Sequence, residues 1–392
     1  MVVLPPQSST LCLSRLAHAC TFLFGGLVVL MGALLPGLHV SYQQAGTLGA
    51  CPALGVLLST LLVGSFLDTH GARTPLLTGL ATTAAGTLGM ACAHHFATLA
   101  VAALTYGLGG GILNTASNAM IAHLYPTRRS QALNRLGVLF SLGAISVPLL
   151  VATLPGPASR TMLFCLGAFA VLLWIAVWTA QFPTPADAPP TVREAAGFRP
   201  LVWHPLVWQI GLLLAVESLA ENAGFVWSGK IGADRFHLDA RQAGLLLFTL
   251  SAAFGLGRWT AGQWIARWGS RRTVMGSAAC ILVGAGVAGF STGPLGLWAG
   301  TLLLGLGMAA IFPTTLGEAA DAFPQAIGAV FATMMTIGLI GSAAGPKIAA
   351  LLAAGHPLRF FWLPAAAAVA VMVLTLTRKA LPDERQRRPV SR

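Results

Sequence analysis

Charge is what this sequence has least of. Asp, Glu, Lys and Arg make up only 9% of its 392 residues, where soluble domains carry about 25%. So few charges cannot cover a water-facing surface of that size, and with 56% hydrophobic residues most of the surface must face lipid. Other absences narrow the function. The apolar segments hold no nucleophile–base set, no HExxH metal motif and no phosphate loop, so an enzyme is not expected. The loops are too short to present a folded soluble domain, which counts against a membrane scaffold or sensor. The six cysteines, Cys12, Cys20, Cys51, Cys92, Cys165 and Cys280, show no metal-ligand spacing. Apart from Cys12 they fall in apolar runs and read as small core residues. No cofactor and no bound metal is expected, and the adjacent His94 and His95 read as a short loop.

Basic residues outnumber acids, leaving a net charge of +12. They stand singly between apolar runs rather than along one stripe, so a nucleic-acid partner is not expected. A membrane protein places such residues on its cytoplasmic side. No small-residue cleavage site follows a separate apolar core near the N-terminus, and Arg15 interrupts the segment before Cys20. The first apolar run is therefore expected to stay.

What is present is a series of apolar segments. About 20 such residues cross a bilayer as a helix, and twelve segments qualify: 15–38, 45–67, 75–93, 98–121, 131–152, 161–180, 206–230, 243–265, 273–291, 295–317, 326–352 and 357–378. The 45 glycines fall mostly inside them, where small residues let helices approach closely. The longest connection, 181–205, contains Pro183, Pro185, Pro189 and Pro190, which cannot continue a helix; residues 192–198 within it suit a short surface helix. The chain thus reads as a first six-helix bundle over 1–180, a cytoplasmic linker over 181–205, a second bundle over 206–378 and a basic tail over 379–392. With both termini cytoplasmic, 16 Lys and Arg fall on the inner side and 5 on the outer side, and Arg258 and Lys347 remain within spans. That asymmetry sets the orientation.

The two sets of six helices repeat one another. Gly64, Asp68, Gly71 and Arg73 follow the second segment with the spacing G-x-x-x-D-x-x-G-x-R, and a shift of 198 residues (71 to 269) gives Gly262, Ala266, Gly269 and Arg271. The same shift carries Gly107 and Gly109 onto Gly305 and Gly307, Pro126 onto Pro324, Gly143 onto Gly341 and Pro148 onto Pro346. Two parallel six-helix repeats with this loop motif resemble the major facilitator superfamily. The resemblance implies an all-α membrane protein of twelve transmembrane helices in two pseudo-symmetric bundles, with a substrate site between them near mid-membrane. In the motif Asp68 is expected to latch the inner gate by capping a helix and pairing with an arginine, and the glycines to permit the tight turn. Ala266 has no such capacity.

Several stretches are similar to the fucose–proton symporter family, which includes hexose carriers. They are Gly32-Ala33-Leu34-Leu35-Pro36, the YGLGGGILNTASN run from Tyr106 to Asn118, Tyr125-Pro126 with Gln131-Ala132-Leu133-Asn134, Glu221 six residues before Trp227, and Gly257-Arg258. The resemblance implies a cation-coupled sugar carrier. It also implies an aspartate in the first helix and a glutamate in the fourth, and this sequence has neither: its fourth helix offers Asn114 and Asn118. Amides both donate and accept hydrogen bonds, which suits sugar hydroxyls.

Only Glu217 and Glu221 lie deep within a span, four residues apart on one helix face. Two carboxylates that close do not both ionise comfortably, so one is expected to hold a proton. An ion pair between Glu217 and Arg258 is expected, which leaves Glu221 as the coupling site. Asn114, Asn118, Glu221, Asn222 and Trp227 are the candidate substrate contacts. Trp227 suits either a sugar ring or the interfacial aromatic belt. Lys347 suits snorkelling at the outer end of its helix, and His18 suits the core. The expected function is uptake of a sugar or similar small polar solute by a monomeric transporter of the inner membrane, coupled to protons or sodium. Proton-driven export of drugs or metabolites is the alternative.

Single cysteines at two positions test the topology. In intact cells and a cysteine-free background, an impermeant maleimide is expected to label His94→Cys and to spare Thr191→Cys. Labelling of Thr191→Cys would reverse the orientation.

Overall fold

A computed structural model describes residues 7–154, 158–182, 204–323 and 327–378. Among these there are twelve long α-helices: α1 (Gln7–Leu34), α2 (Tyr42–His70), α3 (Arg73–Ala91), α4 (Phe96–Leu124), α5 (Arg129–Thr153), α6 (Ala158–Thr179), α7 (Pro205–Phe236), α8 (Ala240–Trp268), α9 (Ser270–Gly289), α10 (Pro294–Ala322), α11 (Ile327–Ala353) and α12 (Trp362–Thr377). Each expected span falls on one of them. Most helices run past the apolar segment at one or both ends, since hydropathy reports the hydrocarbon layer and not the turns in the headgroup region. Ten helices are long and apolar enough to cross a membrane by themselves. The two others are α3, with five threonines, and α8, with Arg241, Arg258 and Arg267. In α3 the hydroxyls of Thr78, Thr82 and Thr87 each donate to the carbonyl four residues back, which removes their need for water. The residues expected as a surface helix at 192–198, and the tail at 379–392, lie outside the described residues.

The sequence repeat is also a structural one. The shift that aligns the motifs carries Tyr42–His70 onto Ala240–Trp268 and Phe96–Leu124 onto Pro294–Ala322, residue for residue. It carries the Ser41–Gln44 capping box of α2 onto the Asp239–Gln242 box of α8. It carries Gly71, at φ 66°, onto Gly269, at φ 78°, the left-handed turn that only glycine adopts readily. Arg73 Nη2 donates to Trp178 O at 2.8 Å, and its counterpart Arg271 Nη2 donates to Leu376 O at 3.2 Å. The arginines of the loop motif therefore tie each bundle's third helix to its sixth. The side chain of Asp68 is outside those described.

Within a bundle, backbones meet at glycines. A Cβ on Gly109 of α4 would lie 2.7 Å from Gly79 O of α3, and a Cβ on its counterpart Gly307 would lie 2.8 Å from Ser277 O of α9. The lipid side is apolar: Phe290 is 86% exposed, Leu295 84% and Leu62 71%. Cys92 and Cys165 are exposed rather than in the core, a correction to the expectation. An apolar run marks a membrane helix, but in lipid both its faces are apolar, so it does not mark the buried one.

The bundles meet chiefly through α2 against α11 and α5 against α8, with α1 against α7 between them. The contacts lie at the ends of these helices remote from the chain termini. There Gly46 of α2 sits against Pro346 O of α11, and its counterpart Gly244 of α8 sits against Pro148 O of α5. Gly32 of α1 rests on the carbonyl of Phe225 of α7. Towards the terminal end Gly64, Gly137 and Gly262 have nothing within 4 Å. The molecule is closed at the far end and open at the end that carries its termini.

The glycine contacts predict opposite responses to one methyl group. Gly109→Ala and Gly307→Ala are each expected to destabilise the protein by about 1–3 kcal/mol through overpacking against backbone. Gly286→Ala, where nothing lies within 4 Å, is expected to leave the unfolding midpoint unchanged or raise it. Thermal unfolding followed by size exclusion distinguishes the two.

Candidate functional site

A cavity of about 90 Å³ lies between the bundles below the closed end. α1 contributes Phe24, Leu27 and Met31, α2 contributes Pro52, and α7 and α11 contribute Val226 and Leu339. Three lining residues bring polar side-chain atoms: Tyr106 of α4, Asn222 of α7 and Ser342 of α11. Tyr106 is 1% exposed and its hydroxyl has no hydrogen-bond partner. The position of Asn222 follows from a proline. Pro346 has no N–H to offer the carbonyl four residues back in α11, and that carbonyl, Ser342 O, accepts from Asn222 Nδ2 at 2.7 Å.

The other expected contacts fall elsewhere. Asn118 Nδ2 donates to Asn114 O at 2.8 Å and Asn114 Oδ1 at 3.0 Å, so this amide is spent within α4. Neither asparagine lines this cavity. Trp227 is 0% exposed, so it does not belong to the interfacial aromatic belt, and it does not line this cavity. Its Nε1 donates to Pro346 O at 3.1 Å, and its ring stacks on Tyr42 at 5.5 Å. A buried indole must place its N–H, and the carbonyl of Pro346 in α11 is the acceptor.

The two deep acids lie one turn apart on α7. Glu217 is 2% exposed; Ser218 Oγ donates to its Oε2 at 3.3 Å, while Oε1 has no partner. The charged groups around Glu217 are Glu221 and Arg258. The expected Glu217–Arg258 ion pair is not formed. The Arg258 guanidinium lies 4.5 Å over the Phe254 ring, one turn back on α8, and 5.8 Å from the Phe140 ring of α5, and its Nε has no partner. Helical rise puts the acid and the arginine within reach, but the rings of Phe254 and Phe140 draw the guanidinium towards the bundle interface. His18 Nδ1 lies 2.6 Å from Ser14 O within α1, as a core histidine would. Among the described residues no cluster of His, Cys, Asp and Glu suits a metal ion.

The closed end carries a polar cluster that sequence reasoning missed. The Tyr42 hydroxyl of α2 donates to Asp234 Oδ2 of α7 at 2.8 Å. Lys230 pairs with Asp234 at 3.2 Å and lies 5.3 Å over the Tyr42 ring. Lys347 of α11 donates to the Thr47 hydroxyl of α2, so its head group crosses to the other bundle rather than only reaching for the membrane surface. The i,i+4 spacing of Lys230 and Asp234 is legible in sequence; the partner Tyr42 is not. At the terminal end of the second bundle Arg378 pairs with Glu318. Glu318 lies just beyond the apolar segment read from sequence, and α10 extends to include it.

The Major Facilitator Superfamily matches residues 16–346 and, in a second match, 223–392. The chain belongs to that superfamily. It is 24% identical over 340 residues to an uncharacterised transporter of this type from Yersinia pestis, covering 86% of this chain and 85% of the relative. It is 37% identical over 107 residues to the vesicular acetylcholine transporter of Homo sapiens, covering 27% of this chain and 20% of that protein. Among solved structures, the D-xylose–proton symporter superposes with a TM-score of 0.77 at 14% identity, covering 94% of this chain and 97% of that one. The fucose–proton symporter FucP, in an outward conformation, superposes with a TM-score of 0.66 at 18% identity, covering 95% of this chain and 100% of that one. The family and the apolar helices make the protein a multi-pass membrane transporter of small molecules.

The far-end cluster predicts a conformational shift. Tyr42→Phe removes one hydrogen bond to a partly exposed carboxylate, worth about 1 kcal/mol. The population open at the far end is expected to rise roughly fivefold. Double electron–electron resonance between labels near the far ends of α2 and α11 reads it as a longer distance component, and an unchanged distribution would mean that the cluster does not hold the end closed.

Proposed function

We propose that this chain is a proton-coupled secondary transporter that moves a small hydroxyl-bearing solute by alternating access, with both termini and the 181–205 segment cytoplasmic. In that orientation, which the excess of inner Lys and Arg supports, the structure faces inward. Asp68 serves as the inner latch in the opposite state. The observation that carries proton coupling is the Glu217–Glu221 pair: two carboxylates one turn apart, Glu217 sealed from water, and no ion pair to either among the described residues. A proton shared between them removes the repulsion and the cost of a buried charge. Glu221 is half-buried and is followed by Asn222 at the cavity wall. It is the member of the pair through which solute and proton sense each other. Each then favours the other's binding, and that preference is the coupling.

Uptake of a sugar is supported by the resemblance to fucose symporters and by the fold shared with the D-xylose and fucose carriers. Export of a drug or metabolite is favoured by a separate observation, the predominantly apolar lining of the cavity. The coupling mechanism serves either direction, and the monomer suffices for it.

Glu221→Gln mimics the protonated form. In proteoliposomes it is expected to abolish solute accumulation under a proton gradient, a loss of tenfold or more, while counterflow exchange continues. Glu217→Gln is expected to fold and to shift the pH dependence of accumulation. A Glu221→Gln protein that still concentrates solute would exclude the pair as the coupling site, and sodium-dependent binding with little pH response would replace the proton with sodium.

A further inference from the structure

The apex of the cavity has the chemistry of a subsite. None of its fifteen lining residues is charged. Among the lining side chains only those of Tyr106, Asn222 and Ser342 can form hydrogen bonds. One N–H of Asn222 is already given to Ser342 O, which leaves its second N–H and its amide oxygen. Tyr106 is the informative group. Its ring is held where the α3 and α4 backbones touch at Gly86, its hydroxyl is buried, and that hydroxyl has no partner in the protein. A buried polar group left unpaired is costly, and Tyr106 is one of the residues that line the space between the bundles. The rest of the wall is aliphatic and aromatic.

We infer that this apex binds a neutral, largely apolar part of the substrate that carries one hydrogen-bonding group, a hydroxyl or carbonyl, held by Tyr106 and Asn222. A fully hydroxylated sugar ring does not suit it. Such a ring brings about five hydroxyls to three polar side chains, and each hydroxyl stripped of water without a partner weakens binding roughly fivefold to a hundredfold. An aromatic or alicyclic alcohol satisfies Tyr106 and fills the apolar wall. The inference rests on the transport reading, since it takes this cavity as part of the solute's path, and it narrows that reading from hydroxyl-bearing solutes to sparsely hydroxylated ones.

Thermal unfolding of the purified full-length protein, titrated with three probes, tests it. The probes are 2-phenylethanol, its deoxygenated analogue ethylbenzene, and D-xylose. We expect 2-phenylethanol to raise the midpoint at lower concentration than ethylbenzene, and D-xylose to have no effect. Tyr106→Phe keeps the ring and removes an unpaired buried hydroxyl, so it should fold with an undiminished midpoint. It should weaken 2-phenylethanol by five- to tenfold and leave ethylbenzene unchanged. Gly110→Ala would place a methyl 3.1 Å from the Phe24 ring and should weaken both aromatic probes. A larger response to D-xylose than to 2-phenylethanol overturns the inference, as does a 2-phenylethanol response that Tyr106→Phe leaves intact, or no response to 2-phenylethanol at all. None of these outcomes touches proton coupling, which stands or falls on accumulation by Glu221→Gln.

Discussion

The N–H that Pro346 lacks organises the centre of this molecule. In lipid a helix has no water to satisfy a freed carbonyl, so the carbonyl left by Pro346 needs a side-chain donor. Asn222 supplies it by donating to Ser342 O, and Trp227, five residues on, donates separately to the carbonyl of Pro346 itself. Those two bonds fix the face that α7 turns to α11. They hold the Asn222 amide at the cavity wall and seat Trp227 under Tyr42 of the opposite bundle. The carbonyl freed by Pro346 thus holds Asn222 at the cavity wall, and the carbonyl of Pro346 itself holds Trp227 in the seal above it.

The repeat explains why the seal is shared by the two bundles. Pro148 and Pro346 occupy equivalent positions, and each is approached by an equivalent glycine of the other bundle, Gly244 and Gly46. Glycine permits this contact because apolar helices in apolar solvent gain nothing from burial alone and must gain from close packing. Function has broken the symmetry. The deep carboxylates lie only in the second bundle, on α7, whereas the aspartate of the loop motif lies only in the first, its counterpart in the second being Ala266. In the proposed cycle chemistry and latching are divided between bundles that share a backbone plan.

The same separation runs along the membrane normal. The Tyr42–Asp234–Lys230 cluster bridges the bundles at the far end, the acid pair lies deeper on α7, and the arginines of the loop motif lie at the terminal end. Residues between the two ends are mostly apolar, which keeps water out of the closed half and lets a small free energy at either end set the conformation. The Arg258 guanidinium rests on rings of both bundles, Phe254 and Phe140; in the proposed cycle it gives up one of them as the bundles move apart.

Much of this was legible in the sequence, and for a physical reason. Lipid imposes a length and an apolarity on every crossing, so composition alone determined the class, the twelve helices and their approximate bounds. The constant spacing of the repeat determined which helices of the two bundles correspond; the equivalent caps and arginine contacts came from the structure. Which residues meet was not determined that way, because a helix that is apolar on all faces does not declare which face is inward. Glu217 and Arg258 were within reach by helical rise, yet Arg258 turns to two aromatic rings. Trp227 had the spacing of a substrate contact, yet it is buried against Tyr42 and Pro346. Tyr106 stood in a recognisable motif, and only the packing around it shows that it lines the cavity and that its buried hydroxyl is unpaired. The solvent fixed the helices; rotation of each helix about its own axis, settled by glycine contacts and one proline, decided the site.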